Sequence, residues 1–334
     1  MRKSIFYLLL SALAVCAFQA GAVRASAQNA AGLYQQGRAE FLKFTPEGFE
    51  KAIALYNQAV KADPKYAQAY AGLAEVYSFM GFYRYQVREE YESFYNDSYT
   101  NMAKALQINP NLEEVELALA YSYLQLSREK DAIAEARKIL AKNPNNPEAM
   151  YILWSASGEN PDSPDIRKVI DLAPKFVPAY IGLGNALFFK KRAYGQASEY
   201  FRKAAEIAPS AQIHNLFGTS LRTQGHYNEA IVEYEKAIKE NPNYAPAYVN
   251  LGITYYYLNK FNQNIENQKK AISLNPNYPD AYFFIAQGYE KANNPQQAIV
   301  YYKKFLEVSL EQEMYAGYAA QAKQRLSALS AGGK

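Results

Sequence analysis

Residues able to do chemistry are scarce in this chain. It has two His and one Cys in 334 residues. A single thiol supports neither a disulfide framework nor a cysteine cluster for zinc or iron–sulfur. His214 and His226 have no Cys nearby and no carboxylate at ligand spacing, so no metal site is expected from them. His226, in Gln224-Gly225-His226-Tyr227, reads as a solvated turn residue. Glu89-Glu90 and Glu113-Glu114 are adjacent pairs. Neighbours in sequence point to different sides of a helix, so these pairs read as solvated faces and not as acid/base couples. Gly182-Leu183-Gly184 opens like a dinucleotide-binding fingerprint but lacks the third glycine, and reads as helix packing. The sequence contains no G-x-S-x-G, no H-E-x-x-H and no P-loop. The expectation is a protein without catalytic residues, cofactor or metal.

Charge narrows the partners. Lys and Arg number 36 and Asp and Glu 32, a formal net charge of +4. The basic residues are interspersed with Glu, and Lys190-Lys191-Arg192 and Lys269-Lys270 are short. Phosphate binding needs a concentrated basic stripe, so nucleic acid is not an expected partner. Tyrosine is the outlier, at 31 residues. Exposed tyrosines stack on sugars; buried ones pack helices.

The elements that must position these residues are set by prolines. Pro64, Pro110, Pro144, Pro174, Pro209, Pro242 and Pro276 recur at intervals of about 34 residues, and five of them follow Asp or Asn. A residue before proline is pushed out of the helical region, so each such dipeptide ends one helix and leads into the next. Upstream of the prolines, Ala52, Ala132, Ala197 and Ala230 share one offset, and Tyr56, Phe201 and Tyr234 another. Downstream comes Tyr-x-x-Leu/Ile-Gly/Ala-x-x-Tyr, as in Tyr248-Leu251-Gly252-Tyr255 and Tyr282-Ile285-Ala286-Tyr289. Offsets of three, four and seven form one face of a helix.

This pattern resembles the tetratricopeptide repeat family, a helix–turn–helix unit of about 34 residues, with Tyr standing in for the family's Trp. The resemblance covers about residues 30–310 and implies an all-α solenoid of about eight stacked helical hairpins, at roughly 30–64, 67–110, 113–144, 147–174, 177–209, 211–242, 245–276 and 279–310. These fall into an N-terminal set, 30–174, and a C-terminal set, 177–310. Residues 313–328 would form a capping helix, because the last unit has no neighbour to cover its apolar face. Three departures are expected to have consequences. Asn264 and Gln268 replace the small and aromatic residues of the seventh unit and imply looser packing there. The 147–174 unit is short, contains Pro161 and Pro164, has Trp154 where a small residue is expected, and reads as a weak joint. The 67–110 unit carries a helical insertion at about 81–98, read as a lengthening of its second helix at the N-terminal end, with Tyr91, Phe94, Tyr95, Tyr99 and Met102 in one stripe.

The N-terminus reads as a leader. Met1-Arg2-Lys3 is basic, Ile5 to Phe18 is almost continuously apolar, and Ala25-Ser26-Ala27 offers a small-x-small cleavage site. That order describes a secretory signal peptide over residues 1–27 and an exported chain, periplasmic or secreted, beginning near Gln28. Leu13-Ala14-Val15-Cys16 resembles a bacterial lipobox, so a lipid anchor on Cys16 is the alternative. Arg2, Lys3 and Arg24 leave with the leader, so 36 basic residues become 33 against 32 acidic ones. No second apolar run approaches spanning length, so no membrane span is expected in the mature chain.

Most tyrosines sit at repeat-core offsets. Tyr121, Tyr151, Phe188, Tyr256 and Phe283 do not, and lie on the other face of the first helices, which in this family lines a concave groove. With Asn185, Asn215, Arg222, Asn250 and Gln287 as polar companions they form the expected binding groove for a protein or peptide partner. The peptide-carboxylate clamp of chaperone-docking family members is not expected. Its places hold Ile181, Leu216 and Pro246, and only Asn185 and Asn250 agree. Two other functions fit the sequence: a module that binds carbohydrate or cell-envelope polymer through exposed Tyr and Phe, and a structural subunit of an envelope assembly complex.

Overall fold

A computed structural model describes residues 28–43, 45–86, 91–310 and 312–331. The leader, Cys16 and Glu89-Glu90 lie outside the described residues. The chain divides into two compact units after Ala179.

In the first unit, α1 covers 28–41. It is followed by α2 (Pro46–Ala62), α3 (Ala67–Gln86), α4 (Glu92–Ile108), α5 (Glu113–Gln125), α6 (Glu129–Lys142), α7 (Pro147–Ala156) and α8 (Pro164–Leu172). The next helix, α9 (Val177–Phe189), begins at the division. The second unit continues with α10 (Tyr194–Ile207), α11 (Ala211–Thr223), α12 (Tyr227–Glu240), α13 (Ala245–Tyr257), α14 (Phe261–Leu274), α15 (Pro279–Lys291) and α16 (Pro295–Val308). A 3-10 turn, Glu313–Tyr315, leads into α17 (Ala316–Ala331). The described residues are an all-α array of helical hairpins, and in each unit consecutive helices pack on one another.

The Asx-Pro turns work as the sequence chemistry demands. Asp63, Asn109, Asn241 and Asn275 leave the helix in extended geometry, and each side chain accepts a hydrogen bond from the N–H two residues on, at 2.9–3.1 Å. The side chain thus mimics a backbone turn while proline blocks helix propagation. The turns inside the α5–α6, α9–α10, α11–α12, α13–α14 and α15–α16 hairpins are different. Ser127, Arg192, Asn259 and Asn293 take positive φ, and Gly225 does so at +85° after α11. A single left-handed residue is a common helix stop.

Small residues under rings set the helix spacing. A Cβ built on Gly218 would stand 2.7 Å from the Tyr234 ring, so only glycine lets α12 approach α11 this closely. Ala230 and Ala237 flank that ring, fully buried.

Two expectations change, and the short unit gains structural detail. Asn264 and Gln268 fill the α13–α14 hairpin and bond across it, where looser packing was expected. Both are fully buried, donating to the carbonyls of Gly252 (3.0 Å) and Val249 (3.1 Å). The long hairpin is lengthened mainly in its first helix: α3 has 20 residues and α4 has 17. Nothing in Met80 to Gln86 breaks a helix, so α3 runs on, with Gly81 beneath the Tyr95 ring and the Arg84 guanidinium 5.7 Å from the Phe94 ring centre. Tyr99 leaves the expected stripe and is 53% exposed, while Ser98 is buried and donates to the Ala74 carbonyl at 2.7 Å. In the short unit, Pro147 and Pro164 begin helices rather than break them, with Asn146 and Ser163 as side-chain caps. Trp154 is buried, and its indole N–H donates to the Asn160 carbonyl at 2.8 Å, closing the loop between α7 and α8.

Candidate binding faces on the first helices

In the second unit the first helices of successive hairpins lie side by side, α11 against α13 and α13 against α15. Asn250 on α13 donates to the Oδ1 of Asn215 on α11 at 2.9 Å, and Asn215 is buried beneath that contact and not open to the expected groove. Asn185, on α9, has a buried Oδ1 with no hydrogen-bond partner. Tyr256 is half-buried, edge-on to Phe284 of α15 at 6.2 Å and to Phe261 at 5.9 Å. Burial is the first cause that raises its hydroxyl pKa, with Glu290 adding to it. Arg222 is half-buried, and its Nε donates to the Tyr234 hydroxyl at 3.3 Å. Phe188 packs edge-on against Phe189 and Tyr194. Gln287 is half-buried on α15. The geometry therefore joins Asn215 to Asn250 and puts Tyr256 in contact with α15.

Two expected groove aromatics are not on an open surface. Phe283 is 1% exposed, packed against Tyr302, Phe305 and Tyr318, because α17 folds over the end of the last hairpin. Tyr121, in the first unit, is 0% exposed, with its ring edge-on to Phe79 at 5.2 Å and its hydroxyl 3.3 Å from Glu148. An off-frame position was insufficient to place a side chain in solvent, because a neighbouring helix covers it. Tyr151 is half-buried between Trp154 and Phe176. Sequence reasoning also missed two aromatics. Phe189 is 71% exposed beside Phe188, and Tyr257 is exposed and stacked on Tyr227 at 5.9 Å. The legible sign was their position directly after the expected groove residues.

The first unit holds a polar cluster that sequence reasoning did not find. Arg38 of α1 pairs with Glu75 of α3 at 2.5 Å and with both carboxylate oxygens of Glu148 of α7. Asn146 donates to Glu113 of α5 at 2.8 Å while its Oδ1 caps α7. These residues, with Tyr34 and Glu114, border a cavity of about 220 Å³. Glu113 and Glu114 are half-buried there and not a fully solvated face. Burial raises the Glu75 carboxyl to about 7, against the lowering effect of Arg38. Burial alone would lower the Arg38 pKa, but Glu148 and Glu75 hold it well above its ordinary value. Among the described residues no group of three or more His, Cys, Asp and Glu is placed to hold a metal ion. No described helix is long and apolar enough to cross a membrane.

Comparison with known proteins matches repeat models to five segments. Residues 48–81 and 218–258 match a model described as a TPR repeat, and 177–210, 245–278 and 279–312 match one described as a tetratricopeptide repeat. The peroxisomal targeting signal receptor of Kluyveromyces lactis is 25% identical over 217 residues, covering 61% of this chain and 35% of that protein. The TPR repeat-containing protein YpiA of Bacillus subtilis is 28% identical over 144 residues, 40% of this chain and 33% of that one. The chain thus spans about a third of the length of these relatives. Among solved structures, the Cut9-Hcn1 hetero-tetramer of the APC/C aligns with a TM-score of 0.64 at 18% identity, over 89% of this chain and 55% of the other. Yeast Tom70 aligns with a TM-score of 0.52 at 17% identity, over 89% and 64%. At these identities the solved structures show the fold.

Proposed function

We propose that this chain, five segments of which match tetratricopeptide repeat models, is a non-enzymatic scaffold that binds a protein or peptide segment on the first-helix face of its second unit. Interaction scaffolds are the usual role of such repeats, and one relative is described as a targeting signal receptor. The observation that carries the reading is the amide pair of Asn215 and Asn250, 2.9 Å apart on neighbouring first helices, with half-buried Tyr256 further along α13. The half-buried Asn250 amide, held in place by buried Asn215, offers hydrogen bonds to a main chain, and a rigid tyrosine offers an anchor. Selecting a displayed random-peptide library on the chain tests this. Selected peptides should lose affinity by about 2 kcal/mol in Tyr256→Ala and by less in Asn250→Ala. They should bind Tyr99→Ala, altered on exposed α4, normally. Equal affinity for all three variants would sink the assignment.

Export is part of the proposal and is supported by the order of basic, apolar and small residues over 1–27. N-terminal sequencing of the exported protein should read from Gln28. A lipid-bearing Cys16 at the start would establish the anchored form instead.

A further inference from the structure

The cavity between the first helices of the first unit is built around an unsatisfied carboxylate. Glu75 is 4% exposed. Its Oε2 accepts from Arg38 at 2.5 Å, and its Oε1 is buried with no hydrogen-bond partner. A buried charged acceptor left unpaired is costly, and each such atom in a native structure calls for an explanation. Arg38 gives Nη1 to Glu75 Oε2 and Nη2 to both oxygens of Glu148, and none of its N–H groups reaches Oε1. The cavity that Glu75 borders has a volume of about 220 Å³, well above the roughly 30 Å³ share of one liquid water. Four glutamates, Glu75, Glu113, Glu114 and Glu148, surround it against one arginine.

We propose that this cavity binds a primary ammonium group, with Glu75 Oε1 as its main acceptor. The excess of carboxylates selects a cation. Arg38 already fills the planar fork between Glu75 and Glu148, so the acceptors that remain are single oxygens on different helices. An ammonium, a compact charge with three rotatable donors, suits such acceptors better than a planar guanidinium. Tyr34 lines the same cavity and adds an aromatic ring, which attracts cations. The proposal involves different residues from the peptide face of the second unit and does not rest on it.

Proton linkage follows from the same geometry. Facing Glu75 are Arg38 and Tyr34 from α1, Tyr56 from α2, Glu113, Glu114 and Tyr121 from α5, and Glu148 from α7. Burial, the largest effect, pushes the hydroxyls of Tyr34, Tyr56 and Tyr121 up, so they stay neutral. With the Glu75 carboxyl at about 7, an arriving ammonium favours the ionised form and expels a proton.

Titration calorimetry of the full chain with n-butylammonium chloride tests the proposal, with butan-1-ol as the neutral match and butylguanidinium as the planar one. Butylammonium should bind, more tightly at pH 8 than at pH 6 and with proton release. Butan-1-ol should give no binding, and butylguanidinium weaker binding. Glu75→Gln should weaken butylammonium by about tenfold, the loss of one charge-assisted hydrogen bond, and the exposed control Glu240→Gln should leave it unchanged. Should Glu75→Gln fail to fold, Glu114→Gln must weaken binding at an unchanged circular dichroism spectrum. A lysine tripeptide blocked at both ends is the second arm. Tighter binding than butylammonium assigns the site to a lysine of a protein segment, and weaker binding to a free amine. No binding of butylammonium, binding equal to that of butan-1-ol, or binding unaffected by both Glu75→Gln and Glu114→Gln overturns the proposal.

Discussion

Asn264 and Gln268 stand where other hairpins place a small residue and a ring. Each donates one N–H to a carbonyl of α13, leaving Asn264 Oδ1 and Gln268 Oε1 buried without a partner. An unpaired buried acceptor costs about 1–3 kcal/mol. The double change Asn264→Ala and Gln268→Phe removes both orphans and restores the arrangement seen where Phe201 covers Gly184 and Tyr234 covers Gly218. It should stabilise the chain by roughly 1 kcal/mol or more in denaturant unfolding. A loss of stability would show that the Gly252 side of α13 cannot seat a ring. The same two residues mark what can be read locally: the substitution is visible in the sequence, but its burial is not. The Arg38 cluster is harder still to read. Its partners lie 37 and 110 positions away, and each charge taken alone reads as ordinary surface. Tyr121 fails for the same reason, since the Phe79 ring that covers it belongs to another hairpin.

At the scale of elements, the sequence is legible where a local rule acts. Asp and Asn before proline stop α2, α4, α6, α12 and α14 through a backbone restriction, reinforced after α2, α4, α12 and α14 by a side-chain bond two residues on, so those boundaries follow from composition. The length of α3 is not local. It depends on Gly81 and Arg84 finding Tyr95 and Phe94 on the returning helix. The α7–α8 hairpin combines both kinds of evidence. Its helices have 10 and 9 residues, and α8 buries only Ile166 and Val169. In the second unit, α11 has 13 residues and α12 has 14. Backbone protection comes from buried apolar contact, so shorter helices with fewer buried residues open first. Hydrogen exchange should show lower protection for Pro164–Leu172 than for Tyr227–Glu240. Equal protection would mean that the Trp154 closure of the intervening loop compensates for the missing turns.

For the molecule as a whole, stability in a repeat array is approximately a sum of hairpin and nearest-neighbour terms, so damage stays near its origin. The last helix is the place to test this. α17 and the 3-10 turn before it cover Phe283 and Phe305 with Tyr315 and Tyr318. Tyr315 donates to Asp280 at 2.6 Å, and Arg325 pairs with Glu290. A chain ending at Ser309 loses these partners and exposes two rings that the full chain buries. Fully burying one such side chain is worth about 1.5–3 kcal/mol. The truncated chain should therefore lose exchange protection in α15 and α16, while α2 to α5 keep theirs. The Glu75 pH dependence should also survive. A carboxyl whose folded pKa lies above its unfolded value contributes stability that is fully present below the unfolded value and is lost as pH rises to about 7. Full-length and truncated chains should share that decline, and Glu75→Gln should abolish it in both. A truncation that instead lowered protection evenly from α2 to α16 would show one cooperative unit, and the nearest-neighbour account would fail.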